Sequence, residues 1–186
     1  MNEPNYLHLT TLTAPKTSLN AQGGIVYALL KNEAASEIFF TLLQNQGGSG
    51  CFGREVIPFA HIEACLHGMD LTQPIPAKRF RTAFRQSKSV NNGGFLVACL
   101  RHQSLLKPAP DASHQHVIGE DWAAWKARML EMQSDEIFIV PEADKPAKAE
   151  PGGGQAGDKK EKRSSAKGRK AAAPVSTEDG GNDHPA

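Results

Sequence analysis

Between Ala77 and Pro108 the chain carries seven Lys and Arg and no Asp or Glu. Within that stretch Lys78, Arg81, Arg85 and Lys88 follow one another at spacings of three, four and three. On an α-helix, at 100° per residue, they would fall within an arc of about 80°, turned away from Phe80 and Phe84. Arg79 borders that row. A row of cations on one helix face neutralises phosphates, and the counterions it displaces supply affinity for nucleic acid whatever the base sequence. A second basic run, "KKEKRSSAKGRK" at 159–170, holds seven bases and one acid. Its Lys159, Lys160, Lys162 and Arg163 would add phosphate contacts from an arm by point charge alone. The competing reading pairs the basic face with carboxylates, either those of the acidic segment 120–136 or those of a partner protein.

Other reactive residue types are present without the spacing their chemistry needs. His61 and Cys65 stand four apart with His67 near, Cys99 and His102 three apart, and His114 and His116 form an H-x-H. A structural zinc site takes four ligands in paired spacings, and no pair of pairs occurs. Cys65 and Cys99 fall on apolar faces, where cysteine packs as a small hydrophobe. Cys51 follows the glycine-rich "QGGSG", yet no nucleophile elbow surrounds it. "QGGSGCFG" also lacks the glycine spacing of dinucleotide or nucleoside-triphosphate loops, so a hairpin turn accounts for it. Trp122 and Trp125 share a helical face with Met129 and read as core anchors rather than as stacking platforms. The expectation is a non-enzymatic protein with no metal and no cofactor.

Charge patterning shows what the net of +1 conceals. Residues 1–70 carry three bases and six acids, residues 71–110 seven bases and no acid, and residues 111–140 two bases and six acids. A partner approaching to within a Debye length, roughly 8 Å at physiological salt, meets these blocks and not their sum. Three cysteines at irregular spacing argue against a disulfide scaffold and for a reducing compartment. The first residues show no secretory pattern, and the runs "IVYALL" and "FLVACL" are far shorter than a membrane span. A cytoplasmic protein is expected.

The elements that must position these residues follow from periodicity. "YLHLTTLT", "GGIVYALLKN", "EIFFTLLQNQ" and "CFGREVIPF" read as strands of an antiparallel meander, with Pro58 closing the fourth or confining it to an edge. An alternative puts a helix inside "GGIVYALLKNEAASEIFFTLL", whose Ala, Leu and Glu favour one. From Ala60 the period turns helical. "AHIEACLHG" is a short helix stopped by Gly68. Pro76 opens a helix over roughly 77–89, docked by Phe80 and Phe84. "SVNNGG" breaks it, and Asn91 or Asn92 caps a central buried helix in "GFLVACLRHQSLL" that "KPAP" ends. After a short extended piece, Gly119, Glu120 and Asp121 lead into the tryptophan helix, and "EIFIVP" returns as a last strand.

Residues 141–186 contain no Leu, Ile, Phe, Trp or Tyr and a single Val, Val175. Ordering them would cost roughly 1–2 kcal/mol of backbone entropy per residue with almost nothing to bury. The expected architecture is therefore one α+β domain over 1–140, an N-terminal antiparallel β-meander packed by three or four C-terminal helices, followed by a disordered low-complexity tail over 141–186.

The succession "CFGREVIPFAHIEACL", "PAKRFRTAF" and "SVNNGGFLVACLRHQSLL", covering roughly 50–107, resembles short accessory proteins of bacterial mobile elements such as integrating conjugative elements and plasmids. That resemblance implies a bacterial cytoplasm and a role in maintenance, transfer or regulation of the element, and assigns no site residue. The helix, turn and helix over 77–106 are loosely similar to a helix-turn-helix unit, although the second helix is core-like and the turn is long. Together the readings favour nucleic acid as partner. The rival class is a protein-interaction module with no nucleic-acid contact.

Overall fold

The computed structural model describes residues 5–140 apart from positions 19 and 49, all within the unit Met1–Lys145. In chain order the elements are β1 (Tyr6–Pro15), β2 (Gly24–Asn32), β3 (Glu37–Asn45), β4 (Ile57–Pro58), α1 (Phe59–Ala64) and β5 (Ile75–Pro76). A 3-10 helix (Ala77–Ala83) follows, then α2 (Asn92–His102), β6 (Leu106–Ala109), β7 (Ala112–Ile118), α3 (Trp122–Glu131) and β8 (Ile137–Phe138). The fold is α+β. Residues 141–186 and the expectations placed on them, including the arm at 159–170, lie outside the described residues.

The expected meander forms the main sheet, antiparallel in the order β4-β3-β2-β1-β8, although the fourth strand, expected over 51–59, is cut to the edge pair Ile57–Pro58 and Phe59 already opens α1. Its centre, β2, shows why "IVYALL" is an unbroken apolar run. Ile25, Tyr27 and Leu29 face the main core, while Ala28 and Leu30 face a smaller cluster with Phe39 on the other side. A strand covered on both faces has no polar side to alternate with, and the helical alternative for 23–43 fails on this pairing. The final strand returns beside β1 as expected, with Tyr6 opposite Phe138 and Leu7 opposite Ile137.

The main core lies between this sheet and the helices. Trp125 of α3 stacks on Phe40 at 5.7 Å and meets Phe59 of α1 at 4.9 Å. Asp121 caps α3 by accepting from the amides of Ala123 and Ala124. At the other end of α3 the buried Lys31 donates to the carbonyl of Met132 at 2.7 Å and meets Glu33 at 2.8 Å. One polar chain crosses the core. Trp125 Nε1 donates to Gln103 Oε1, Gln103 Nε2 donates to the Tyr27 hydroxyl, and that hydroxyl lies 3.0 Å from His102 Nδ1. Burial pushes the Tyr27 hydroxyl well above its ordinary pKa, so it stays a neutral bridge.

Three expectations need correction. The helix over 77–89 is a 3-10 helix that stops at Ala83, with Phe84 extended and buried. Glu55 is the cause, because its carboxylate accepts from the backbone amides of Arg85, Gln86 and Ser87 at 2.9 to 3.2 Å. Successive amides aimed at one carboxylate form an anion nest, a conformation an α-helix cannot supply in its interior. Next, "GFLVACLRHQSLL" is not one helix. α2 ends in a Schellman motif in which Leu105 N–H reaches the Leu100 carbonyl, Ser104 N–H reaches that of Arg101, and Ser104 stands at φ 61°. Finally, "KPAP" is not merely a terminator. Its first three residues belong to β6, an edge strand of a second antiparallel sheet ordered β5-β7-β6, where Pro108 is tolerated because an edge leaves ladder positions unpaired.

Candidate nucleic-acid interface

The basic segment lies where the 3-10 helix crosses α2. The crossing is close. A Cβ on Gly93 would collide with the Ala77 carbonyl oxygen and stand 3.1 Å from Arg81 Cγ, so only glycine lets the two backbones meet there. With three residues per turn, Lys78 and Arg81 superpose on one face of the 3-10 helix, about 6 Å apart along its axis. Arg79 is a third of a turn away and points elsewhere.

Arg79 has a separate task. Its Nε donates to the Cys65 carbonyl at 2.8 Å and its Nη2 to the His67 carbonyl at 3.3 Å, closing the C-terminal end of α1. The Cys65 carbonyl, at the C-cap of α1, is of the kind a short helix leaves unpaired, and that of His67 belongs to the turn that follows. Arg85 and Lys88 lie in the segment after Phe84, past the helix that was expected to align them. The four-cation stripe is thus two superposed cations plus two on the adjoining loop. Lys78, Arg79, Arg81, Arg85 and Lys88 are all exposed.

Charge pairing decides what these groups are free to do. Ion pairs form elsewhere: Lys126 with Glu37 at 2.9 Å and Arg128 with Glu120 at 2.8 Å, while Glu136 is hydrogen-bonded to the His8 ring at 2.9 Å. Among the described residues, no carboxylate makes an ion pair with Lys78, Arg81, Arg85 or Lys88. Glu55, whose carboxylate accepts from the backbone amide of Arg85 itself, spends its oxygens on backbone amides. The acidic segment 120–136 therefore leaves the basic segment unneutralised.

Beneath Lys78 and Arg81 opens a cavity of about 360 Å³, walled by the 3-10 helix, the first turns of α2 and the β1–β2 connection. Ala77, Val90, Phe95 and Ala98 give it an apolar lining. Val90 stands at its mouth 66 % exposed. Lys16 also lines the cavity, its ammonium donating to the carbonyls of Gln22 at 2.9 Å and Gln46 at 2.6 Å. Asn91 occupies the N-cap position of α2, yet its side chain does not cap the helix. It donates instead to the Cys51 carbonyl at 3.1 Å. Asn92 is buried and bridges Gly53 N–H and the Ser87 carbonyl. The two asparagines fasten the neighbouring loops, and the positive end of α2 is left without a side-chain acceptor.

Sequence reasoning missed this cavity. "SVNNGG" reads as a helix breaker, whereas Gly93 and Gly94 are the first turn of α2 itself. The available signal was two glycines directly after Asn91 and Asn92, residues that a helix start does not itself require. The other candidate groups do not assemble: among the described residues no three His, Cys, Asp or Glu side chains are grouped to hold a metal ion. Cys65 and Cys99 are buried, and burial raises both thiols above their ordinary pKa. No helix among the described residues is long and apolar enough to cross a membrane.

No family model matches the chain, and no curated protein or solved structure matches it at a significant level.

Proposed function

We propose that this protein is a nucleic-acid-binding protein, non-enzymatic, that contacts phosphates through Lys78 and Arg81 with Arg85 and Lys88 beside them. The observation that carries the reading is that, among the described residues, no ion pair engages the side chains of these four exposed cations, in a segment of forty residues with no acid at all. Solvated cations gathered on one side of a molecule attract a polyanion, and the salt they release on contact favours the complex. Lys159, Lys160, Lys162 and Arg163 would extend the contact along the same backbone. Arg79 is engaged with carbonyls and contributes to the local potential more than to direct contact.

Fluorescence anisotropy with labelled DNA and RNA oligonucleotides at low salt tests the reading. Binding is expected for the unmodified protein, and the double charge reversal Lys78→Glu, Arg81→Glu should weaken it on the order of a hundredfold while leaving the melting temperature unchanged. No binding at low salt, with either polymer, would refute it and leave the basic face to an acidic protein partner.

A further inference from the structure

Gly93 and Gly94 are adjacent in the first turn of α2, and only one of them is required by the fold. At Gly93 a side chain would strike the Ala77 backbone. At Gly94 a Cβ would meet nothing within 4 Å. Glycine is a poorer helix former than alanine, and no contact inside the molecule calls for it at Gly94. A bare backbone facing open space is what the close approach of an external group requires. Gly94 is part of the wall of the cavity beneath Lys78 and Arg81.

The lining defines the class of that group. Phe95, Val90 and Ala77 present apolar surface inward, and two unpaired cations, one 3-10 turn apart, stand over the rim. A flat, largely apolar body carrying an anion on a flexible link satisfies both parts, and a nucleotide within a strand has that form. A base inside a duplex cannot leave its stack without an unpairing cost, whereas a single strand offers bases already free. The volume, about 360 Å³, is at the small end of ligand pockets, suited to one base rather than to an extended ligand. Resting on the phosphate-binding reading above, we infer that this cavity receives one unstacked base of a single-stranded nucleic acid, with Lys78 and Arg81 on the phosphates that flank it and Gly94 admitting the ring edge.

Anisotropy titrations of an unstructured single-stranded DNA and a duplex of equal length, at matched salt, test the inference with the full chain and two variants. Gly94→Leu fills the cavity from a position where the fold has room, and Gly94→Ala adds a single methyl as control; melting curves verify that both stay folded. The expected result is single-strand binding roughly tenfold or more tighter than duplex binding, the scale of one base stacked on an aromatic. Gly94→Leu should remove that difference and leave duplex affinity unchanged, with Gly94→Ala between the two. Equal affinity for both polymers, or a single-strand preference that Gly94→Leu leaves intact, would overturn the base pocket while sparing the phosphate contacts. Absence of binding to either polymer would overturn both.

Discussion

His116 sits in the middle of β7 with no exposed surface and with neither ring nitrogen hydrogen-bonded among the described residues. Burial disfavours the imidazolium, and Arg101 and then His114 add repulsion, so the pKa falls from 6.5 to about 4. The unfolded chain keeps the ordinary value and takes up a proton first as pH drops. Stability is therefore fully present above about pH 6.5 and declines as pH falls toward 4, by up to roughly 3 kcal/mol at about 1.4 kcal/mol per unit. Denaturant unfolding of the unmodified protein and of His116→Leu at pH 7 and pH 4.5 isolates this share from that of the carboxylates. The variant should lose less stability between the two pH values, by about 2 kcal/mol. Parallel losses would show that the ring is solvated or partnered. Position 116 looked from the sequence like one half of an H-x-H, because spacing reveals ligand geometry and says nothing about burial.

Two elements turn on residues whose local chemistry argues for something else. Ser104 holds the left-handed position of the α2 Schellman motif, where a side chain costs roughly 1 kcal/mol that glycine avoids. Ser104→Gly should raise unfolding stability by about 0.5–1 kcal/mol, part of the relief being lost to the freer unfolded chain; a decrease in a urea melt would contradict the motif's role. Glu55 is the second case. Its carboxylate holds three successive amides, and Glu55→Ala should cost roughly 2 kcal/mol, as charge-assisted bonds to the backbone are lost. Amide exchange at Arg85, Gln86 and Ser87 should quicken sharply in that variant, and unchanged protection would rule the nest out. These cases mark where the sequence stops being legible. The meander, α1, α3 and the returning β8 are readable because their signals are local: apolar runs, a proline, acids at a helix start. The helix over 77–89 was misread because its competitor lies some thirty residues upstream. The second sheet was hidden by Pro108, a residue that looks like a stop until the strand is known to be an edge. At the site, the exposed cations were legible from composition, while their grouping was not, since it depends on a 3-10 rather than an α geometry.

At the scale of the molecule, the charge blocks seen along the chain persist in the fold. Glu120 of the third block is taken up by Arg128, and Glu37 of the first block by Lys126, while Glu136 is hydrogen-bonded to the His8 ring. The basic block is left to solvent over the cavity, and the central claim is that it is left for phosphates. The most direct measurement is the salt dependence of nucleic-acid affinity, because its slope counts the phosphates neutralised. For a single strand each cation adds about 0.7 to the slope of log affinity against log salt. The account predicts that Lys78→Ala, Arg81→Ala lowers the magnitude of that slope by about 1.4 at unchanged fold. A slope identical to that of the unmodified protein would contradict it, showing that whatever binding occurs does not pass through these two side chains.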